Sequence, residues 1–303
     1  MDHLQSIRIF TRVVETGSFT LAAQSLEMPN ATVSKWVKSL ERRLGVTLLE
    51  RTTRHVTVTN DGAAYYARMR QLLGEFDDVE ATFQSARASP RGELRVETGG
   101  AIASHLLIPA LPAFQALYPD IRVRLSVTDR TVDVIAENID CALRGRADDP
   151  ELISQELGSF AITTCASPAW LKLHGTPRHP RDIVEGRMPV AGYFFAGDGV
   201  AQPLRFRRGS ERIVLEGLES AVLVSDSHAH LASGLAGLGV MQTLDFVVRP
   251  AIEAGTLVAV LERWRADPAK VYAAYSPSRR YSTKVKVFID WASSIMRQAM
   301  PAA

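Results

Sequence analysis

The first sixty residues alternate stretches of helical hydrophobic spacing with short polar breaks. The apolar residues of the first stretch share one face at intervals of three and four: Leu4, Ile7, Phe10 and Val14. Gly17 ends this helix, and Ser18 is placed to cap a second helix over 19–26. A third helix is predicted over 31–44 with Gly45 as its C-cap. Its apolar stripe consists of Val33, Val37, Leu40 and Leu44.

Three short helices with a tight break before the third are typical of a helix-turn-helix, whose last helix enters the major groove of DNA. The polar face of the third helix carries Asn30, Thr32, Ser34, Lys35, Lys38 and Arg42. We assign Thr32, Ser34 and Lys35 to contact with bases or the groove. Lys38 and Arg42 are assigned to the phosphate backbone. Trp36 lies either in the core, which is favoured, or against the sugar-phosphate backbone.

Alternation over 54–59 predicts a strand pair that forms a small wing, with Arg51 and Arg54 at its tip. Long cations there can enter the minor groove or hold phosphates. Residues 30–54 hold six cations and two anions, so this segment carries +4 in a chain of net charge +2. Charge alone fits a polyanion partner and a solvated surface equally well. The helix-turn-helix pattern favours double-stranded DNA.

Residues 60–87 contain no proline and predict one long helix with heptad spacing. The apolar residues of this seam are Tyr65, Met69, Leu72, Phe76, Val79 and Phe83. A helix of this length spans roughly 40 Å and is too long to bury its stripe on the small N-terminal domain. We therefore expect it to pair with a second copy of the chain, the alternative being packing on its own chain. Residues 88–92 break the helix and form a hinge.

The remaining two hundred residues alternate predicted strands and helices, which favours an α/β fold with a mainly parallel sheet. The predicted strands cover 93–97, 121–127, 141–144, 162–166, 189–193, 212–216, 239–242 and 271–276. The predicted helices cover 103–117, 132–137, 168–173, 228–235 and 283–300.

A series of short motifs follows in a fixed order across residues 10–62. They are Gly17-Ser18-Phe19, Ala22-Ala23, Val33-Ser34-Lys35, Leu40-Glu41, Leu44-Gly45, Leu49-Glu50-Arg51, Arg54 and Thr59-Asn60-Asp61-Gly62. In this order they resemble the winged helix-turn-helix of LysR-type transcriptional regulators. The C-terminal part resembles the effector domain of the same family. Its matching stretches are Leu107-Ile108-Pro109, Phe114, Tyr118-Pro119, Asp140, Ala142-Leu143-Arg144, Ala166-Ser167-Pro168 and Gly237-Leu238-Gly239-Val240.

This resemblance implies three parts: a winged helix-turn-helix over 1–59, a linker and dimerisation helix over 60–89, and an effector-binding domain over 90–303. The last part is expected to resemble a periplasmic binding protein with two α/β lobes. Lobe I would comprise 92–161 and 266–303, and lobe II 162–265. A small molecule bound between the lobes would control the DNA-binding heads of a homodimer or homotetramer and their contact with RNA polymerase.

In open α/β sheets a ligand lies beyond the carboxyl ends of the strands, near helix N-termini. The loop Thr98-Gly99-Gly100-Ala101 lies between a predicted strand and a predicted helix, so its N–H groups suit a carboxylate or another anion. Thr128 ends the next strand, and Ser227 and His228 would face the cleft from lobe II. Arg144 holds an anion or forms a structural ion pair with Asp133 or Asp140, two equal alternatives. A small carboxylate or an aromatic acid is the expected effector.

The sequence predicts no catalytic residues, no metal site and no cofactor. Asp226, His228 and His230 alternate, but the two histidines would point apart on a helix. Two rival functions are an enzyme with a fused DNA-binding head and an architectural DNA-binding protein without a ligand. No nucleophile, base and acid set supports the enzyme. The large C-terminal part would have no use in the architectural protein.

Cellular location is predicted from what the chain lacks. It has no continuous apolar run of about 18 residues and no basic, apolar start typical of a signal peptide, so we expect a cytoplasmic protein without a membrane partner. Cys141 and Cys165 are expected to be free thiols, the alternative being a redox-sensing pair.

Overall fold

The computed structural model describes residues 2–51, 56–84, 90–196 and 199–300. The chain divides into two compact units, Met1–Ala86 and Arg87–Ala303. The predicted limits of the DNA-binding, linker and effector parts remain predictions, because the division into two units leaves the linker inside the first.

In its described residues, 2–51 and 56–84, the N-terminal unit holds four helices and a two-stranded sheet. They are α1 (His3–Thr16), α2 (Phe19–Ser25), α3 (Asn30–Leu44), β1 (Leu49–Arg51), β2 (Val56–Val58) and α4 (Asn60–Gln84). The predicted ends are confirmed: Gly17 and Gly45 are C-caps with φ of 63° and 72°, and the Ser18 hydroxyl accepts the N–H of Leu21. Leu44 is exposed, which corrects its place in the apolar stripe.

Glu41 joins the third helix to the wing. Its carboxylate accepts the backbone N–H groups of Leu48 (3.0 Å) and Leu49 (3.1 Å), where the chain enters β1. β1 and β2 pair antiparallel, with Leu49 opposite Val58. The strand pair predicted for the wing is therefore confirmed, while its tip, residues 52–55 with Arg54, lies outside the described residues.

Helix α4 begins in close contact with the backbone that precedes the wing. The Thr59 hydroxyl accepts the N–H of Gly62 (2.9 Å) and itself donates to the carbonyl of Thr47 (2.8 Å). A Cβ at Gly62 would lie 2.0 Å from the carbonyl oxygen of Leu48. Glycine is therefore required for this approach of helix and backbone.

The first half of the C-terminal unit, with its last strand and helix, forms lobe I. Its elements are β3 (Gly92–Thr98), α5 (Gly100–Ile102), a π-helical turn (Ala103–Leu107), α6 (Ile108–Leu117), β4 (Ile121–Val127), β5 (Cys141–Arg144), β6 (Ile153–Phe160), β14 (Ala269–Tyr275) and α11 (Thr283–Ala299). The sheet order is β4-β3-β5-β14-β6. β3 is parallel to β4 and β5, whereas β14 is antiparallel to β5 and β6.

Lobe II contains the intervening elements. They are β7 (Ile162–Ala166), α7 (Pro168–His174), α8 (Arg181–Glu185), β8 (Val190–Tyr193), β9 (Leu204–Arg208), β10 (Glu211–Leu215), β11 (Ser220–Val224), α9 (Ser227–Leu235), β12 (Met241–Leu244), α10 (Asp245–Glu253) and β13 (Val258–Ala259). β7 pairs antiparallel with β12 and β13, and β8 pairs parallel with β11. A parallel bridge between Val190 and Val240 connects the two sets.

Two expectations about the C-terminal part are wrong. Both sheet systems mix parallel and antiparallel pairs, because the chain returns to lobe I through β14 and doubles back along β7. Residues 132–137, predicted as a helix, contain no helix: 132 and 133 are irregular, and a turn covers 134–138. The Asp133 carboxylate accepts the N–H groups of Ile135 and Ala136, and Asn138 adopts a positive φ of 54° that ends the turn.

The helical stretch Gly100–Leu117 is long and apolar enough, by length and composition, to cross a membrane. It also contributes to the core of lobe I, where Ile102, Leu106, Leu107 and Phe114 are buried. Phe114 packs edge-on against Phe288 of α11, with ring centroids 5.8 Å apart. Its apolar character is thus explained by a place between the lobe I sheet and the last helix.

Candidate DNA-binding face and effector cleft

Helix α3 separates buried apolar residues from an exposed basic surface. Val33, Val37 and Leu40 are buried in the core of the N-terminal unit. Among the predicted DNA contacts on this helix, Asn30, Lys35, Lys38 and Arg42 are exposed, and Thr32 and Ser34 are half-buried. The Asn30 amide donates to the Thr20 hydroxyl (3.1 Å), which ties the start of α3 to α2. Trp36 packs against the core, as favoured from the sequence.

The predicted dimerisation seam divides into two parts. Tyr65 and Met69 pack against the core of their own unit, and the ring of Tyr65 lies 5.7 Å from that of Phe10. Leu72 and Phe76 are 44% and 39% exposed, although Phe76 lies near the guanidinium of Arg8 (5.9 Å). The side chains of Val79 and Phe83, like that of Arg51 in the wing, lie outside the described residues.

A cleft of about 300 Å³ lies between the two lobes. Its lobe I wall includes Gly99, Thr128, Arg130 and Arg144, and its lobe II wall includes Tyr193 and Phe195. The rings of Tyr193 and Phe195 meet edge to face at 5.6 Å. Burial, and secondarily the charges of Asp129 and Asp226, raise the pKa of Tyr193, so its hydroxyl remains a neutral donor at physiological pH.

The carboxylate of Asp129 bridges the two lobes. Its Oδ1 accepts the N–H of Gly100 (2.9 Å) at the start of α5, and its Oδ2 accepts the N–H of Ser227 (2.6 Å) at the start of α9. A second bridge joins Ser104 Oγ and His228 Nε2, 2.8 Å apart. A Cβ at Gly100 would lie 2.8 Å from Ser227 Oγ, so glycine permits the lobes to meet here.

Only some of the residues predicted to bind the effector line the cleft. Gly99, Thr128 and Arg144 line the cleft. Thr98 is fully buried and its hydroxyl donates to the Leu143 carbonyl (3.4 Å), which corrects its expected contact with a ligand. Ala101 is also buried. The lobes touch at Gly100, Ser227 and His228, where the N–H groups of Gly100 and Ser227 and the His228 ring already form hydrogen bonds. The Ser227 Oγ atom, in contrast, is buried without a hydrogen-bond partner in the described part of the chain.

Arg144 forms an ion pair, but with neither of the two expected carboxylates. It pairs with Glu97 (3.5 Å) and donates to the carbonyl of Val132. Asp140 instead pairs with Arg279 (3.0 Å), and Asp133 caps a turn. Burial raises the pKa of Glu97 to about 7, against the opposing effect of Arg144.

Several residues that line the cleft were missed in the sequence, among them Asp129, Arg130, Tyr193 and Phe195. Asp129 directly follows Thr128 at the carboxyl end of a parallel strand, the position at which the ligand was expected, so its carboxylate was a detectable signal. The two aromatic residues lie between Pro168 and Gly237, where no stretch matches the family pattern. Glu97 was also missed, because a single acid inside a strand has no sequence signature of burial.

The structure does not bring the alternating residues 226, 228 and 230, or the two cysteines, together into one site. Asp226 caps α9, His228 meets Ser104, and the buried His230 ring bonds the carbonyl of Ala191 (2.9 Å). Within the described ranges, no three His, Cys, Asp or Glu side chains form a group that could hold a metal ion. Cys141 and Cys165 are buried in the sheets of different lobes, and burial raises the pKa of each thiol.

A winged helix-turn-helix joined to a two-lobed α/β unit with a central cleft defines a ligand-responsive DNA-binding regulator. The family model for the bacterial regulatory helix-turn-helix of the lysR family matches residues 4–63, and the LysR substrate binding domain matches residues 87–297. The chain therefore belongs to the LysR-type transcriptional regulators. It is a DNA-binding regulator with an effector-binding domain, not an enzyme, and regulators of this family form oligomers.

Known regulators of this family align with the chain over almost its full length. YhjC of Escherichia coli, an uncharacterized HTH-type transcriptional regulator, is 34% identical over 304 residues, covering 98% of this chain and 99% of YhjC. An HTH-type transcriptional repressor of Pseudomonas aeruginosa is 35% identical, with 98% and 93% coverage. The structure of CrgA, a LysR-type regulator from Neisseria meningitidis, aligns with a TM-score of 0.62 at 29% identity, covering 96% of this chain and 98% of CrgA.

Proposed function

We propose that α3 reads the major groove through Thr32, Ser34 and Lys35, with Asn30 at its start, and that Lys38 and Arg42 hold phosphates. The observation that carries this proposal is the division of α3. Its apolar face is buried while Lys35, Lys38 and Arg42 are exposed. Arg51 and Arg54 of the wing would contribute minor-groove or phosphate contacts beside it.

The effector is proposed to be a small carboxylate or an aromatic acid bound in the cleft between the lobes. A volume of about 300 Å³ suits a molecule with one ring. The aromatic pair Tyr193 and Phe195 would pack against the ring, and the exposed Arg130 would meet the acidic group. Gly99, Thr128 and Arg144 complete the lobe I wall.

Two copies are proposed to pair through α4, using the exposed part of the seam that begins at Leu72. An effector that binds one arrangement of the lobes better than another would shift the population of arrangements. The spacing or angle of the two DNA-binding heads would then change, and with it the bend of the DNA and contact with RNA polymerase. Such a protein works in the cytoplasm, where its DNA is.

The test replaces Lys38 or Arg42 by alanine in the full chain. Each loss of a phosphate contact should flatten the dependence of log K on log salt by about 0.9, and by twice that in a dimer. Affinity should fall to a similar extent for specific and non-specific DNA. Lys286→Ala, which removes an exposed cation from the effector unit, is the matched control and should leave the slope unchanged. A loss confined to one DNA sequence would refute the phosphate assignment.

A further inference from the structure

The carboxylate of Asp129 occupies the place that the sequence assigns to an anionic ligand. The N–H that opens α5 and the N–H that opens α9 both donate to it, one to each oxygen. The first belongs to lobe I and the second to lobe II. The backbone at Gly99 also approaches closely, since a Cβ there would lie 2.7 Å from Oδ1. The site for a carboxylate between the lobes is thus formed and already filled.

The chemistry of the site explains why a tethered carboxylate holds it well. Both helix starts carry partial positive charge, and hydrogen bonds to an ionised oxygen are stronger than neutral ones. A free acid would need the same two donors. Asp129 competes from within the chain, where its effective concentration is of the order of millimolar or more. A free carboxylate that makes the same two hydrogen bonds therefore displaces Asp129 only at concentrations well above this value.

The other cations of the cleft suggest where the effector's acidic group binds instead. Two of these cations already have carboxylate partners: Arg144 pairs with Glu97 (3.5 Å), and Arg146 pairs with Asp148 (3.1 Å). Arg130, one residue after Asp129, is exposed at the cleft. It therefore offers a charge on the same wall without competing for the two helix starts.

We propose that Asp129 is a specificity-determining residue of the effector site. It excludes carboxylates from the subsite between Gly100 and Ser227 and directs the acidic group of the effector toward Arg130. This inference rests on the proposed function of the cleft. It predicts that the subsite, once Asp129 is shortened, binds a free carboxylate, with the partnerless Ser227 Oγ as a third donor beside the two N–H groups.

The experiment compares full-length wild type, Asp129→Ala and Asp149→Ala during titration with sodium acetate, sodium chloride keeping the ionic strength constant. Asp149→Ala is the matched control, because it removes one acid from the cleft wall, whose carboxylate accepts the N–H of Glu151, without freeing either helix-start N–H. The Tm of Asp129→Ala should rise with the logarithm of acetate concentration above Kd, by about 3–5 °C at ten times Kd. Wild type and the control should not respond over the same acetate range, and acetamide should have no effect on any variant. An equal response of wild type, or none in Asp129→Ala, overturns the proposal.

A second variant covers the case in which Asp129→Ala does not fold. Asp129→Asn keeps the size of the side chain but presents an NH₂ group to one of the two N–H donors. Hydrogen exchange followed by mass spectrometry should then show faster exchange in peptides covering 98–104 and 225–231. Exchange equal to wild type would mean that the carboxylate does not hold the two helix starts, and the proposal would be wrong.

These readouts are independent of DNA. If Asp129→Ala ignores acetate while wild type still binds specific DNA, the specificity role of Asp129 fails and the proposed function stands. If acetate binds as expected but no DNA sequence is selected, the proposed function fails by itself.

Discussion

Glu97 is a buried acid in the middle of a strand, 3% exposed, with Arg144 as its ion-pair partner. Burial raises its pKa from an ordinary 4.5 to about 7. Between these two values the folded protein binds the proton and the unfolded chain releases it. The contribution of Glu97 to stability is therefore fully present below about pH 4.5 and is lost as the pH rises to about 7.

We predict that this pH dependence disappears in Glu97→Gln. The difference in Tm, wild type minus variant, should fall from about pH 5 to about pH 8, because only the wild type has the titrating group. Thermal unfolding followed by circular dichroism measures it. Glu156→Gln, which removes an exposed acid from the same sheet, controls for the loss of a charge. A difference that stays constant with pH would contradict the raised pKa of Glu97.

At the scale of an element, helix α4 contains two glycines, of which one is in close contact with backbone and the other has open space around it. Gly62 lies against the Leu48 carbonyl, whereas a Cβ at Gly74 would meet nothing within 4 Å. We predict that Gly62→Ala destabilises the N-terminal unit by about 1–3 kcal/mol, because the helix must move away from the backbone. Gly74→Ala should stabilise it by about 0.5–1 kcal/mol through helix propensity.

Calorimetry of the full chain compares the two variants, each serving as the control for the other. Equal effects at both positions would mean that the close contact at Gly62 has no energetic weight.

Helices with local end signals were predicted from the sequence more accurately than strands that pair over long distances. Helices α1 to α3 were predicted within one or two residues, because Gly17, Ser18 and Gly45 mark their ends through local backbone chemistry. The strands β6, β9, β11 and β13 were missed. β6 alternates weakly, and its place in the sheet depends on β14, more than a hundred residues later. Distant pairing of this kind leaves no local pattern.

The candidate site was predictable to a smaller extent. The loop 98–101 and the Ser227 segment were expected on opposite walls of the cleft, because ligands bind beyond the carboxyl ends of strands and near helix starts. The structure brings the two segments together at Gly100 and Ser227. The side chain that fills the space between them, Asp129, was not identified. Several acids lie near the N–H groups of Gly100 and Ser227 in the sequence. Distances of a few ångströms decide which carboxylate accepts their hydrogen bonds, and the packing of both lobes sets these distances.

At the scale of the whole molecule, assembly is expected to depend on the exposed part of α4. We predict that Leu72→Glu raises the dimer dissociation constant at least about tenfold, because a buried apolar contact is lost from each copy. Sedimentation equilibrium measures the constant. Ala67→Glu, at an exposed position off the seam, is the matched control. An unchanged constant for Leu72→Glu would remove α4 from the interface.

The central claim is that the chain is a sequence-specific regulator whose recognition helices act in pairs. The most direct measurement is selection of bound fragments from a genomic library by the purified full-length protein at about 0.15 M salt. We predict a few tightly bound sites, each with two half-sites one or two helical turns apart. Uniform weak binding to all fragments, or none, would contradict the assignment of α3 as a recognition helix.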